Sequence, residues 1–391
     1  MHMGYTHAAE PALSRVARVL RSRVGRRLPA EMPTAFAVRL AGGQTLTFGQ
    51  GPAKATFVIR KARGLWALAS MDATRIAEAY CNSGLDIEGD IEALLALRSS
   101  FTDRHPVTSV WRFLRPRLFG QIRSDVQWIS EHYEHHPDFY LSFLDRDHRC
   151  YSQAIFASDD EPLERAMKRK LDFALAAVNA KPGDRILDIG GGWGAFLEYA
   201  GQRGIQVTSL TISPDSEKFL RKLIADRQLP CHIRREHLYR HQTDTPYDAI
   251  VNLGVTEHLP DYRRTLATYR ELLKPGRRIY LDASASRERY DLSAFLIRHI
   301  YPGNGSLLCL ADYLEALKQS PFKLLELHDD RHSYALTSLH WARNFDRHAD
   351  AIVERWGAPL YRAFRVYLWG CADGFERDVL QAHRMVLELS A

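Results

Sequence analysis

A glycine-rich turn between a β-rich segment and a helical segment is the feature that most constrains the fold of this chain. Residues 185–194 have the sequence RILDIGGGWG, in which an apolar run carrying Asp188 leads into four glycines, and a helical pattern begins at Ala195. Glycine lets the backbone approach a ligand closely. A strand, a glycine turn and a helix N-terminus in this order are typical of cofactor sites in doubly wound α/β domains.

Short β-rich runs alternate with helical patterns after this turn. The runs QVTSLTI, CHIRR, YDAIVNLG and RRIYLDAS are separated by helical segments, one of them over Tyr262–Leu273. This alternation predicts a parallel, doubly wound sheet. The last two runs, Leu324–Leu327 and His332–Leu339, have little helical sequence between them, so we expect the sheet to end in an antiparallel hairpin.

The N-terminal part of the chain has a different pattern. Alternating residues over 34–70 predict a small antiparallel sheet, and residues 72–100 predict helices. We therefore expect a basic amphipathic helix over 1–30, a small α+β domain over 31–103, a basic connection over 104–124 and an α/β catalytic domain over 125–391. Within the last domain, helices are predicted over Asp125–Tyr140 and Leu163–Val178.

Charge narrows the choice of partners. The chain has a formal net charge of +6, and six arginines lie between positions 15 and 27 among apolar residues at helical spacing. Such a helix either lies on an anionic membrane or packs on its own domain, and both alternatives stay open. The charge also permits nucleic acid, but no recognition module is present, so no nucleic acid is expected. Association into a homodimer stays open.

The compartment and the metal content follow from the same sequence. Five cysteines are widely spaced without a CxxC pair, so neither a disulfide framework nor a metal site is expected. The N-terminus lacks the apolar core of a signal peptide, and no apolar run is long enough to span a bilayer. We expect a cytoplasmic protein that associates peripherally with the membrane.

The ends of the predicted strands supply candidate site residues. The spacing of the glycines is not that of a dinucleotide turn, and in methyltransferases such a turn packs against the amino-acid part of the cofactor, whose ammonium needs acceptors such as a carboxylate. Thr211 and Ser213 follow the second strand, where they would bond the cofactor or cap a helix. Glu257 and His258 follow the fourth strand and would enter the same crevice, since strand ends at one sheet edge lie together.

Together these motifs resemble the cyclopropane-fatty-acyl-phospholipid synthase family, which includes the mycolic acid methyltransferases. The resemblance extends from about Pro33 to the C-terminus. Its markers are His132-Tyr133, Tyr151-Ser152, LDIGGGWG at 187–194, TIS at 211–213, Glu257-His258, LKPG at 273–276 and YLWGCADGF at 367–375. It implies a Rossmann-like class I fold, S-adenosylmethionine as cofactor, and methyl or methylene transfer to the double bond of an unsaturated phospholipid acyl chain.

The resemblance also implies roles for individual residues. The cofactor would be bound by Asp188, Gly190, Gly191, Gly192, Gly194, Thr211, Ser213, Tyr151 and Ser152, with an acidic residue near the adenine at or beside Glu236-His237. In the cyclopropane-forming members a bound bicarbonate is the implied base, held by a cysteine, a glutamate, a histidine and a tyrosine. Glu257 and Tyr334 match this set, whereas the cysteine position is Gln153 and the histidine position is Asp282.

These departures suggest a different base. An aspartate in an anion's cradle would repel the anion, which makes bicarbonate doubtful. Our hypothesis is that Glu257 and Asp282 replace it and that one carboxylate accepts the proton, its pKa raised by the other. The alternative is that Asp282 is solvated or paired with an arginine such as Arg287.

Two other functions stay open beside lipid modification. They are C-methylation of a soluble lipophilic metabolite, and a catalytically reduced protein that binds lipid or cofactor. Aromatic residues predict an apolar acyl tunnel or ordinary core packing. They are Tyr133, Phe139, Tyr140, Phe143, Tyr151, Phe156, Tyr301, Trp341, Tyr367 and Trp369.

Overall fold

The computed structural model describes residues 14–29, 32, 34–103, 136–301 and 305–391. It divides into two compact units, Met1–Asp103 and Arg104–Ala391. The division falls where the sequence places the start of the basic connection. That connection, the marker His132-Tyr133 and most of the helix predicted over Asp125–Tyr140 lie outside the described residues.

The first unit contains, among its described residues, a four-stranded sheet of order β2-β1-β3-β4. Its elements are α1 (Arg15–Gly25), β1 (Phe36–Arg39), β2 (Thr45–Phe48), β3 (Ala55–Ile59), α2 (Ala62–Ser70), α3 (Ala73–Cys81), β4 (Leu85–Gly89) and α4 (Ile91–Leu95). The expectation of an antiparallel sheet over 34–70 is wrong in two respects. Strand β1 pairs in parallel with β3, and the end of that segment forms α2 because Gly64, Ala67 and Leu68 bury one helical face.

The second unit is a doubly wound α/β domain. Its described residues form a seven-stranded sheet of order β10-β11-β9-β8-β5-β6-β7. The strands are β5 (Arg185–Ile189), β6 (Gln206–Thr211), β7 (His232–Arg235), β8 (Tyr247–Leu253), β9 (Leu273–Ala285), β10 (Phe322–Asp329) and β11 (Gln381–Leu389). Strands β5 to β9 pair in parallel, and β10 and β11 are antiparallel to their neighbours. The order reverses between β5 and β8, and ligands bind at such a switch point.

The helices of this unit cover the sheet and close its carboxyl end. They are α5 (Pro137–Leu141), α6 (Leu163–Ala177), α7 (Ala195–Gly201), α8 (Pro214–Arg227), α9 (Tyr262–Leu272), α10 (Ala294–His299), α11 (Leu310–Lys318), α12 (Arg331–Arg347), α13 (Ala349–Trp356) and α14 (Ala358–Glu376). The terminal antiparallel pair exists, but its second strand is β11. The prediction of a strand at His332–Leu339 is wrong, because this segment lies in α12, a helix that buries Ser338, Trp341 and Phe345 at helical spacing. No helix of the described part is both long and apolar enough to cross a bilayer.

The central strands β5 and β8 are buried on both faces, which explains why they are mostly apolar. Alternate residues of β8 enter opposite halves of the core. Ile250 packs with Leu266 and Tyr313 on one side, and Val251 packs with Leu171 on the other. This packing fixes the ends of β5, β8 and β9, where the polar side chains of the site begin.

Candidate active site

A cleft opens at the carboxyl ends of β5, β6 and β8, on the switch point of the sheet. We call it the glycine cleft. Sequence-predicted residues in its wall are Tyr151, Ser152, Asp188, Gly190, Gly191, Gly192, Thr211, Ser213, Glu236 and His237. Except for Gly194, all the residues assigned to the cofactor from the sequence therefore meet in one place.

The turn between β5 and α7 requires glycine for two reasons. Gly190 has φ of +81°, and a Cβ there would lie 2.2 Å from Cγ2 of Val255. A Cβ on Gly191 would lie 2.5 Å from Oγ of Ser209. Both amides donate to the carbonyl of Leu210, at 3.0 and 2.9 Å, so the turn is pressed against β6 and leaves the cleft open above it.

Polar side chains of the cleft also have structural partners. The buried Asp188 carboxylate accepts a hydrogen bond from the Ser209 hydroxyl, and burial raises the pKa of Asp188 to about 6. Ser213 caps α8 by accepting from the amide of Ser216 at 3.3 Å, and Thr211 accepts from the amide of Ser213 at 3.2 Å. The capping role expected for Ser213 is thus present within the cleft wall.

A second cleft adjoins the first. We call it the aromatic cleft, and Tyr301, Tyr334, Trp341, Tyr367 and Phe375 lie in its wall together with Glu257. Tyr151, Gly254 and His258 line both clefts. The two cavities are therefore adjacent at the end of β8.

Glu257 is the carboxylate of the aromatic cleft. It lies in a short 3-10 turn, Thr256–His258, directly after β8. Its Oε1 accepts from the amide and the hydroxyl of Ser284, at 2.7 and 2.6 Å. Its Oε2 is buried and has no hydrogen-bond partner in the described structure. Burial raises the pKa of Glu257 to about 7, which is the range of an effective general base at neutral pH.

Tyr334 reaches the same cleft from α12. Its ring stacks on Phe375 with centroids 4.3 Å apart. Burial, followed by the charge of Glu257, raises the pKa of Tyr334 well above its usual value, so its hydroxyl stays protonated. Glu257 and Tyr334, the two residues that match the family's bicarbonate-holding set, thus lie in the same cleft.

The two residues that differ from the family's bicarbonate-holding set, Gln153 and Asp282, lie outside the aromatic cleft. Gln153 is buried and donates from Nε2 to Oδ2 of Asp330 at 2.9 Å, and Asp330 is also paired with Arg384. Asp282 is fully buried at the end of β9, and its Oδ2 lies 3.1 Å from Nζ of Lys170. Neither residue lines the aromatic cleft.

Asp282 pairs with Lys170, whereas the alternative given from the sequence is solvation or pairing with an arginine such as Arg287. Asp282 is not solvated, and Arg287 pairs instead with Asp378. Burial raises the pKa of Asp282 against the opposing effect of Lys170. For Lys170, burial lowers the pKa, but the charge of Asp282 and other neighbours outweighs burial and leaves it raised. The ammonium also contacts the Ser152 hydroxyl.

Lys170 was missed at the sequence level, although a signal was present. It lies on the stripe of α6 that buries Met167, Leu171 and Ala174, and a lysine inside an apolar stripe needs a buried counter-charge. His258, which the sequence places in the crevice at the strand ends, lines both clefts.

Only some of the predicted aromatic residues line a cavity. Tyr151, Tyr301, Trp341 and Tyr367 lie in the wall of the aromatic cleft. Three others belong to a closed aromatic core and are fully buried, namely Phe139, Tyr140 and Phe143. Phe156 stacks on His340, and the Trp369 indole donates to Asp346 at 3.0 Å. Tyr133 lies outside the described residues.

Comparison with known proteins identifies the class. The structure of the cyclopropane synthase MmaA2 from Mycobacterium tuberculosis superimposes with a TM-score of 0.62 at 26% identity, covering 67% of this chain and 97% of that chain. Coclaurine N-methyltransferase shares the fold, with a TM-score of 0.64 at 16% identity, covering 76% of this chain and 94% of that one. The fold is that of the Rossmann-like class I methyltransferases.

The family follows from the sequence matches. The family model described as Mycolic acid cyclopropane synthetase matches residues 121–385. A probable fatty acid methyltransferase of Mycobacterium tuberculosis is 28% identical over 282 residues, which are 71% of this chain and just under two thirds, 66%, of that protein. A probable fatty acid methyltransferase of Pseudomonas putida is 24% identical over 367 residues, 89% of this chain and 90% of that protein. The chain belongs to the mycolic acid cyclopropane synthetase family and is an S-adenosylmethionine-dependent methyltransferase.

Proposed function

We propose that this enzyme transfers a methyl or methylene group to the double bond of an unsaturated phospholipid acyl chain, and that Glu257 accepts the proton. The product is a cyclopropane or a methyl- or methylene-branched chain. The observation that carries the proposal is the unpartnered Oε2 of Glu257 in an aromatic cleft that shares three wall residues with the glycine cleft. The names of the relatives, fatty acid methyltransferases and a cyclopropane mycolic acid synthase, support a lipid substrate.

The glycine cleft fits the cofactor. Its turn keeps its shape only with glycine at Gly190 and Gly191, because a Cβ would meet Val255 or Ser209, and Asp188 supplies a carboxylate for an ammonium group. Glu236 and His237 lie in its wall where a nucleoside needs polar partners. Thr211, Ser213, Tyr151 and Ser152 complete the proposed binding set. S-adenosylmethionine bound there supplies an electrophilic methyl group.

The aromatic cleft fits an apolar chain whose reaction passes through positive charge. Methyl transfer to an alkene carbon breaks the sulfur–methyl bond and leaves a carbocation on the neighbouring carbon. Tyr334, Trp341 and Phe375 line this cleft, and aromatic rings there can stabilise such a charge and exclude water. Loss of a proton from the transferred methyl closes a cyclopropane. After a 1,2-hydride shift moves the charge to the methyl-bearing carbon, the same loss gives a methylene branch, and loss from a chain carbon gives a methyl-branched alkene.

Glu257 is the group placed to take that proton. Ser284 holds its Oε1 by two hydrogen bonds, which leaves Oε2 as the acceptor. We assign no bicarbonate to the proposed site, because Gln153 donates to Asp330 and Asp282 is bound to Lys170. We therefore propose that Glu257 alone accepts the proton. Asp282 has a structural role, through its ion pair with Lys170.

Expression in a bacterium that lacks its own synthase tests the proposal. Mass analysis of the membrane fatty acids should show a gain of one CH2 in unsaturated chains, and the Glu257→Gln variant, expressed to the same level, should show none. Unchanged membrane lipids together with methylation of a soluble lipophilic compound would transfer the assignment to the metabolite alternative.

A further inference from the structure

We propose that the outward face of α1, together with Trp66 on α2, binds the surface of an anionic lipid bilayer. The inference rests on the proposed function, because an enzyme that modifies phospholipid chains must reach them in a membrane. This surface lies entirely within the first unit.

The inner face of α1 is already occupied. Ala17, Leu20 and Val24 are 0%, 2% and 0% exposed, so this apolar stripe packs within its own unit. The packing alternative raised by the sequence therefore holds for the stripe. A membrane cannot use these side chains without unfolding the unit, so any contact must be made by the remaining face.

The outward face carries one sign of charge. Arg15, Arg18, Arg21, Arg23 and Arg26 are all exposed, and within the residues that the structure describes none has an acidic partner. An ordinary solvated surface intersperses both signs. A field of one sign attracts a polyanionic partner.

Exposed apolar side chains on this surface favour a lipid bilayer over nucleic acid as the anionic partner. Val16, Val19 and Trp66 are 49%, 51% and 66% exposed, and they are the large hydrophobic side chains that the described part of this unit leaves exposed. Val16 and Val19 lie one turn apart on α1, beside the arginines. Valines add little to contact with a phosphodiester backbone, whereas a basic helix with exposed apolar residues suits the headgroup boundary of a bilayer.

Trp66 lies on α2, the helix that contacts α1. The Arg27 guanidinium donates to the carbonyl of Ser70 at 2.6 Å, which joins the ends of α1 and α2. Trp66 lies one turn before Ser70 on α2, and Arg63 lies one turn before Trp66. Tryptophan is enriched where proteins meet the membrane interface, because its ring is apolar and its N–H is polar.

Vesicle co-sedimentation of the full chain tests this surface. Vesicles of phosphatidylcholine with phosphatidylglycerol should bind the protein, and vesicles of phosphatidylcholine alone should bind it weakly. Each arginine near an anionic surface contributes about fivefold to partitioning, so R15Q/R18Q/R23Q should weaken binding on the order of 100-fold. The matched control R234Q/R343Q/R347Q removes the same charge from exposed positions of the second unit and should bind almost as wild type does.

Two further measurements make the surface specific. Trp66→Ser should weaken binding several-fold without changing the circular dichroism, and its indole fluorescence in the wild type should shift to the blue on vesicles. Equal loss of binding in both triple variants, or tighter binding to duplex DNA than to vesicles at the same salt concentration, would overturn the proposal.

Activity separates this proposal from the proposed function. On detergent-dispersed lipid, the α1 triple variant should turn over as the wild type does, and on vesicles it should be slow. A wild-type protein that binds anionic vesicles but methylates neither form of lipid would leave the surface assigned and refute the function.

Discussion

Replacing Lys170 by methionine should destabilise the catalytic unit strongly. The Lys170 ammonium and the Asp282 carboxylate are 3.1 Å apart, and both side chains are fully buried. Removing the cation leaves a buried carboxylate with no compensating charge, which costs about 3–5 kcal/mol in the free energy of unfolding. For a unit of this size that loss lowers the melting temperature on the order of 10 °C.

The chain offers a matched control and a rescue. Lys168 lies on the same helix and pairs with Asp172 at 2.7 Å, but its side chain is 55% exposed, so Lys168→Met should cost at most about 1 kcal/mol. The double variant K170M/D282N should recover much of the stability, because neither member of this pair is then charged. Thermal and urea unfolding measure the melting temperature and the free energy of unfolding of the wild type and of each variant. A K170M variant no less stable than K168M, or a double variant that simply adds both losses, would refute the assignment of a buried ion pair.

Two predictions concern the clefts. Because Glu257 must be ionised to accept a proton and burial raises its pKa to about 7, the rate should rise about tenfold per pH unit below pH 7 and level off above it. Glu257→Gln should abolish turnover while calorimetry still detects cofactor binding, and a pH-independent rate or an active variant would exclude this base. Gly190→Ala should weaken cofactor binding, because its Cβ would meet Val255; Gly183→Ala, at a similar φ but with open space around it, is the control and should bind normally.

The sequence predicted the frame of the site because local patterns encode it. The turn at Gly190 to Gly194 could be placed from one apolar run, four glycines and the helix that follows. Glu257 could be placed in the same crevice because it ends a buried strand of a parallel sheet. These inferences depend on neighbouring residues and on a general rule of topology.

Long-range partners could not be predicted in this way. Asp282 lies 112 positions after Lys170, and only the packing of α6 against β9 shows that they pair. The segment His332–Leu339 predicts a strand as a short β-rich run, but it lies in α12, which packs against α14. The role of an aromatic residue, core or cavity wall, likewise depends on the assembled fold, as the contrast between Phe143 and Trp341 shows.

Transfer of label from deuterated methyl donor to lipid tests the central claim most directly. Purified protein is incubated with S-adenosylmethionine carrying a CD3 group and with a monounsaturated phospholipid, and the acyl chains are analysed by mass spectrometry. We predict labelled chains from the wild type, retaining two deuterium atoms if the proton leaves the transferred methyl group and three if it leaves a chain carbon, and no labelled chains from Glu257→Gln. Labelled chains formed equally by that variant, or no label in any chain although the donor binds, would contradict the account.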